Sequence, residues 1–485
     1  MTSQQKLVTP SRQVYNSRMV LLLLCSTQFI VVLDTTVVNI ALPAIQHALN
    51  FSTQNLQWVA NAYLLMFAGF LLLGGRVADV MGRRKLFIFG IILFSLASLA
   101  AGFGISDIQL IAARVVQGIA AAIISPAALS ILTVTFPQGK EHDRALGTFG
   151  AMSGIGAVAG LLLGGILTQF LGWQWVFLIN IPVGVVVAVL SLIYLEKSPG
   201  LDNDQGFDLL GALSVTAALV LLVYTLVQTA EQGWTSLVTL GSFGATIVLM
   251  ALFVVIELKS PAPMVDFTIF RYRRLTVANL VSLFFAACIG STLFLITLYM
   301  QQVLGYSALE AGLALLPFEV ATIFAATISA RAVTRLGVRR VVPVSLTIFM
   351  VGLLLLSRLE TGSSYLTGLL PGTFLFGLGL TGSGIPLTIA AVSGVPHSKA
   401  GLASGLINTM QQVGISVGLA IVATLAAAIT AGASPLTNHS QALVSGFQVG
   451  FLTAAGFAGT GAILALVLFR NEKPTPDPLQ GPGPE

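Results

Sequence analysis

Fourteen times along this chain of 485 residues the polar text gives way to an apolar run. Each run has about the 20 residues that a helix needs to cross a bilayer. The runs fall near 18–45, 55–75, 86–104, 108–135, 145–171, 175–195, 209–230, 236–256, 275–300, 309–331, 341–358, 365–394, 400–430 and 444–469. A backbone in lipid must satisfy its own polar groups, so the runs predict an all-α membrane protein with 14 transmembrane helices. Length alone leaves open whether 209–230 and 236–256 are two full spans or a re-entrant pair. Composition removes the soluble alternative. The chain is 56% hydrophobic and 8% charged, against about 25% charged in a soluble domain, so its first partner is the lipid bilayer.

The cations give the orientation. An even number of spans puts both termini on one side. With that side cytoplasmic, the inner loops collect Lys6, Arg12 and Arg18, then Arg76 to Lys85, Lys140, Arg144 and Lys197. Further on they collect Lys259, Arg271 to Arg274, Arg331 to Arg340, Lys399, Arg470 and Lys473. Of 23 Lys and Arg only Arg114 and Arg358 fall elsewhere, as the positive-inside rule requires. The net charge of +5 therefore reflects membrane orientation and implies no nucleic-acid partner. The expected location is the plasma (inner) membrane. The polar segment 1–17 leads into an uncleaved first helix. Residues 471–485 hold five prolines and read as a disordered tail. Cys25 and Cys288 both sit in apolar runs and supply neither a disulfide framework nor a zinc site.

The chain also repeats. Arg76, Gly82 and Arg84 recur as Arg331, Gly337 and Arg339, and Arg144-Ala145 recurs as Lys399-Ala400, all at an offset of 255 residues. Thr334 stands where the first copy has Asp79. The offset predicts a six-helix half over 18–200, two linker helices over 201–260 and a second six-helix half over 261–470. Parallel halves of this kind place a substrate site near the membrane midplane.

Two motifs carry a resemblance. The loop Gly75-Arg76-Val77-Ala78-Asp79-Val80-Met81-Gly82-Arg83-Arg84-Lys85 resembles the signature G-x-L-A-D-R-x-G-R-K of the major facilitator superfamily, with Val77 and Val80 departing from it. The segment Leu33-Asp34-Thr35-Thr36-Val37-Val38-Asn39-Ile40-Ala41-Leu42-Pro43 resembles the first-helix motif L-D-x-T-V-V-N-V-A-L-P of the fourteen-span drug:proton antiporters. Arg114-Val115-Val116-Gln117-Gly118 resembles that family's fourth-helix motif R-x-x-Q-G. Gly160 and the pair Gly164-Gly165 match part of its fifth-helix motif ending G-P-x-x-G-G, but Leu161 replaces the proline. That departure bears on the direction of transport, and close helix packing explains the glycines equally well.

The residues support the same reading on physical grounds. Asp34 lies mid-span, where an ionised carboxylate costs about 2.5–3.5 kcal/mol, and intramembrane acids are functional by default. A carboxyl group that is neutral in one state and ionised in another carries a proton. Arg114 is its modulator if it faces the cavity, and a snorkelling residue if it reaches the outer interface. Glu319, after Pro317, is the second buried acid and the third proton-coupling candidate; its alternative role is to bond backbone freed by the proline. Trp58, Asn61, Gln117, Asn408, Gln411 and Gln412 are candidates to line the substrate cavity, or serve as helix glue. Gly75, Asp79, Gly82, Arg83, Arg84 and Arg331 are assigned to conformational gating. By the resemblance, Asp79 holds the inner ends of the halves together when the outside is open.

The resulting expectation is a monomeric proton-coupled antiporter that exports small amphipathic cationic or neutral compounds by alternating access, without cofactor or metal. The same fold could instead carry one endogenous lipid or metabolite, or work as an importer. A membrane-embedded enzyme is disfavoured. His47, His142, His397 and His439 all lie near span ends, and no two buried acids are close in sequence. A passive channel or sensor is disfavoured by the mid-span charge in a duplicated architecture. No G-x-x-x-x-G-K-[ST] motif occurs, so an ion gradient supplies the drive.

Overall fold

The computed structural model describes residues 17–136, 140–196, 208–261, 263–396, 400–433 and 438–469. The polar N-terminal segment, the tail, and loop cations such as Lys197 and Lys399 lie outside them. Within them the chain forms α1 (Ser17–Leu49), α2 (Trp58–Met81), α3 (Arg83–Gly102), α4 (Asp107–Thr135), α5 (Lys140–Phe170) and α6 (Trp175–Tyr194). Then come α7 (Leu209–Gln232) and α8 (Leu237–Lys259). The last six are α9 (Arg273–Val303), α10 (Ala308–Leu336), α11 (Val338–Leu356), α12 (Tyr365–Ser393), α13 (Ala400–Ala431) and α14 (His439–Leu468). All but α2 contain an apolar stretch long enough to cross a membrane among the described residues, and α2 is itself 24 residues long.

Local sequence sets the boundaries. Ser106, Ser236 and Asp208 cap α4, α8 and α7 by accepting bonds from Gln109, Thr239 and Gly211 amides. Ser307 and Glu310 form a reciprocal capping box at the start of α10. The apolar runs 209–230 and 236–256 lie in two unbroken helices, Leu209–Gln232 and Leu237–Lys259, of 24 and 23 residues. Three spans are less regular than their hydropathy implies. α6 breaks at Ile179, α10 breaks at Leu315 just before Pro317, and α9 ends in a π-helical turn over Tyr299–Val303.

The packing is duplicated. In the first bundle α1 packs on α5, α2 on α4, and α3 on α4 and α6. In the second, α9 packs on α13, α10 on α12, and α11 on α12 and α14, the same scheme carried eight helices along. Gly82 and Gly337 occupy equivalent positions between helices at φ 96 and 76 degrees, a region open to glycine and strained for other residues. The repeat inferred from loop residues is thus a repeat of backbone geometry.

The bundles meet through α2 against α13 and α5 against α10. α7 covers the first seam, where Leu65, Leu219, Val223 and Ala420 form a joint apolar cluster. At the arginine-poor end the bundles are closed. Gln301 Nε2 of α9 donates to the Ile40 carbonyl of α1 at 2.9 Å, and Gln302 Nε2 donates to Gln46 Oε1 at 2.8 Å. Toward the arginine-rich end one face of α5 stands open. A Cβ placed on Gly147, Gly150 or Gly154 of α5 meets no atom within 4 Å.

Candidate functional site

The first bundle encloses a polar network. Asp34, mid-way along α1, is fully buried, and Arg114 of α4 is 1% exposed. Arg114 Nη1 donates to Asp34 Oδ2 at 2.5 Å. The same guanidinium donates to the Gln117 side-chain oxygen at 3.0 Å and, through Nε, to the Val59 carbonyl of α2 at 2.9 Å. Its planar face stacks over the Tyr63 ring, 4.4 Å from the centroid. The other carboxylate oxygen, Asp34 Oδ1, accepts from Gln117 Nε2 at 3.2 Å and from Asn180 Nδ2 of α6 at 2.8 Å. Ser98 of α3 accepts from both of those amides.

Five of the six helices of the bundle therefore contribute to one network around Asp34. Arg114 and Gln117 share a face of α4 because they are three residues apart. Arg114 lies seven residues into α4, about 10 Å along the helix at 1.5 Å per residue, and it points inward. It does not snorkel. Buried opposite charges of this kind persist only when hydrogen bonds satisfy what the pair leaves over, as the two amides do here. Chemically, one proton on Asp34 replaces a carboxylate–guanidinium pair with a neutral acid beside an uncompensated cation.

Glu319 is elsewhere. It lies on α10, 6% exposed, and lines a cavity of about 240 Å3 between the bundles. The cavity walls come from α1 (Thr36, Asn39), α5 (Ala157, Leu161), α9 (Leu293, Thr297), α10 (Phe318, Thr322) and α12 (Leu380, Thr381). Thr322 donates to Glu319 Oε2 at 3.2 Å, and nothing described pairs with the acid as a cation. Asp34 does not line this cavity. The two acids expected to share one space are separated: Asp34 is neutralised inside a bundle, and Glu319 is the carboxyl group at the seam.

The other candidates are distributed unevenly. Gln117 belongs to the Asp34 network rather than to the cavity wall. Asn61 is fully buried on α2, and neither of its amide atoms has a hydrogen-bond partner. Trp58 packs at the α2–α7–α13 seam. On α13, Gln411 and Gln412 are half-buried and Asn408 is exposed, and none of the three lines the 240 Å3 cavity. Gly160 and Gly164 press α5 onto α1. A Cβ on either would stand 2.7 Å from Thr36 Cβ or 3.1 Å from the Val37 carbonyl. Gly165 faces the other way, where a Cβ would stand 2.7 Å from Leu309 Cα of α10. Gly75 faces Pro126 of α4 with room for a methyl group. Arg84 donates to the Leu192 carbonyl at the end of α6, and Arg331 is exposed. The side chains of Arg76 and Asp79 lie outside the described residues.

Sequence reasoning missed Asn180, Ser98 and Tyr63 around Asp34, and the threonines of the cavity. Asn180 had a signal, being an amide beside Pro182 in an otherwise apolar run. The threonines had little, since threonine is common in spans, where it can bond the carbonyl one turn back on its own helix, as Thr36 does to Val32.

The sequence profile of the Major Facilitator Superfamily matches residues 24–419 and 278–484. The chain is 37% identical over 407 residues to "Multidrug resistance protein Stp" of Mycobacterium tuberculosis, covering 82% of this chain and 74% of that one. It is 36% identical over 467 residues to "Puromycin resistance protein pur8" of Streptomyces alboniger, covering 94% and 92%. Among solved structures, a bacterial homolog of the human lysosomal transporter Spinster, inward-facing and unoccupied, superposes with a TM-score of 0.69 at 16% identity. That match covers 93% of this chain and 96% of that one, and it speaks to fold alone.

Proposed function

The chain belongs to the Major Facilitator Superfamily, and on that premise we propose that it is a proton-coupled exporter of small amphipathic compounds, antibiotics among them. It is a transporter rather than an enzyme, and it works by alternating access between the two bundles. The single observation that carries the coupling is the buried Asp34–Arg114 pair, held by Gln117 and Asn180 where α1, α3, α4 and α6 meet.

In this reading the two acids divide the work. Asp34 takes the proton. Protonation frees Arg114 from its counter-charge, and the helices it ties together then favour a different arrangement. Glu319, in the cavity, takes the second proton that offsets the extra charge of a divalent substrate, while Phe318, Leu293, Leu161 and Leu380 supply apolar contact without strict shape. Neutral substrates use those walls alone. The halves over 18–200 and 261–470 move about the linker helices of 201–260, with both termini cytoplasmic in the plasma membrane. The conformation described above, closed by Gln301 and Gln302 and open along Gly147–Gly154, is then the inward-facing one. Asp79, Arg83, Arg84 and Arg331 belong to the inner gate, and the working unit is the monomer.

Transport by inside-out vesicles, with pH gradient and voltage set separately, tests this. Asp34→Asn keeps the shape and removes the titratable group. We expect normal insertion and loss of gradient-driven export. Full export by that variant under a pH gradient removes Asp34 from the mechanism.

A further inference from the structure

A second concavity, of about 810 Å3, opens on the outer surface of the second bundle where α10 and α11 diverge. Its walls are apolar, with Phe324, Ile328 and Leu336 on one side and Val344 and Ile348 on the other, and α12 forms the floor through Leu378 and Gly382. Phe324, Ile328, Leu336 and Val344 are each at least half exposed, as side chains that face acyl chains are. From Phe324 to Leu336 the groove runs twelve residues, about 18 Å at 1.5 Å per residue. One leaflet of a bilayer contributes about 15 Å of hydrocarbon, half of the ~30 Å core. The groove is therefore one leaflet deep.

Its end is cationic. Arg339 and Arg340 line the mouth, both exposed, and neither guanidinium makes a hydrogen bond or ion pair with a described residue. The repeat sharpens the contrast. Arg84, the counterpart of Arg339 at the offset of 255, is bound to the Leu192 carbonyl. The counterpart of Asp79 is Thr334, and no acid occurs between Glu319 and Glu360. The second copy of the loop thus keeps Arg331 and Arg339 and has Arg340 where the first has Lys85, but it lacks the carboxylate at position 334, and Arg339 lacks the carbonyl partner of Arg84.

We propose that this groove is a binding site for an anionic phospholipid of the arginine-side leaflet, with one acyl chain along α10 and α11 and the headgroup phosphate on Arg339 and Arg340. Guanidinium groups bind phosphate bidentately, and basic residues near the membrane surface attract anionic lipid. A zwitterionic lipid offers the same chains without the net charge, so the site discriminates by headgroup.

The test uses the full chain in nanodiscs doped with a phosphatidylglycerol that bears a photoreactive diazirine on its acyl chain, and separately with the matching phosphatidylcholine. We expect phosphatidylglycerol to label peptides of 324–348 at least five-fold more than phosphatidylcholine does. Arg339→Gln/Arg340→Gln should lower that labelling five-fold or more, while Arg339→Lys/Arg340→Lys retains most of it. Ala332→Phe, which fills the groove without touching the charges, should reduce labelling by both lipids. Equal labelling by the two lipids, or labelling that ignores the Gln pair while the Lys pair confirms an intact fold, overturns the proposal.

Discussion

Neutralising Arg114 removes the counter-charge of a fully buried carboxylate. In Arg114→Gln, Asp34 keeps two bonds to Oδ1, from Gln117 and Asn180, but loses the 2.5 Å contact to Oδ2. Breaking one side of a buried pair costs about 3–5 kcal/mol, and the two remaining amides place this case near the lower end, about 3 kcal/mol. The guanidinium stacking over Tyr63, worth about 0.5–2 kcal/mol, goes as well. Asp34→Asn leaves the opposite residue, a buried cation, with the Val59 carbonyl and Gln117 as acceptors. The double variant carries neither orphan charge. Its loss should therefore fall short of the sum of the single losses by about 2–3 kcal/mol, within the range of coupling seen for contacting residues. Unfolding in dodecyl maltoside titrated with sodium dodecyl sulfate measures this, read by maleimide-dye reaction at Cys25 and Cys288, both buried in the folded chain. Additivity within about 0.5 kcal/mol would mean that the pair does not act as a unit, and the coupling scheme built on it fails.

Three further outcomes are expected. Glu319→Gln should spare neutral and monovalent substrates but impair divalent cations, most visibly under imposed voltage without a pH gradient. Exporting a divalent cation for one proton moves a charge at about 2.3 kcal/mol per 100 mV, and unchanged voltage dependence for both charge classes returns Glu319 to a structural role. Gly165→Leu drives a side chain into the Leu309 backbone and should hold the arginine-poor end apart. A cysteine introduced as Thr297→Cys should then react faster with an impermeant reagent from that side, and equal rates count against the closure described. Asp79→Ala should slow turnover several-fold with substrate affinity nearly unchanged; weakened equilibrium binding with normal turnover of bound substrate contradicts the gating role.

The helices were legible because lipid imposes a length and a composition on every span, and the duplication because loop arginines kept their spacing. The Asp34–Arg114 contact was only half legible. Each residue announces itself as a charge in an apolar run, but 80 positions separate them and nothing local says that Arg114 points inward. Asn180 is harder still. It lies 146 positions from Asp34, directly after the break at Ile179. The cavity was misjudged in a systematic way. Amides such as Gln117 and Gln411 attract attention because they are rare in spans, yet the wall near Glu319 is mainly apolar, and its polar groups are mostly threonines. Threonine hides in such text by bonding its own helix, as Thr322 does to the Glu319 carbonyl.

The seam between α5 and α10 has a mechanical consequence. Gly165 sits against Ala308 and Leu309, and a Cβ on Gly312 would stand 2.5 Å from the Leu161 carbonyl, so main chain rests on main chain. Glycine and alanine have no rotamers to freeze, and ordering them on contact costs almost no side-chain entropy. Nothing interlocks across such a surface. It behaves as a bearing, on which one bundle can roll over the other each cycle with little friction. On the α1 and α9 side of this seam, resistance includes amide bonds such as Gln302 to Gln46, each worth about 0.5–1.5 kcal/mol. Thermal motion can break a latch of that strength.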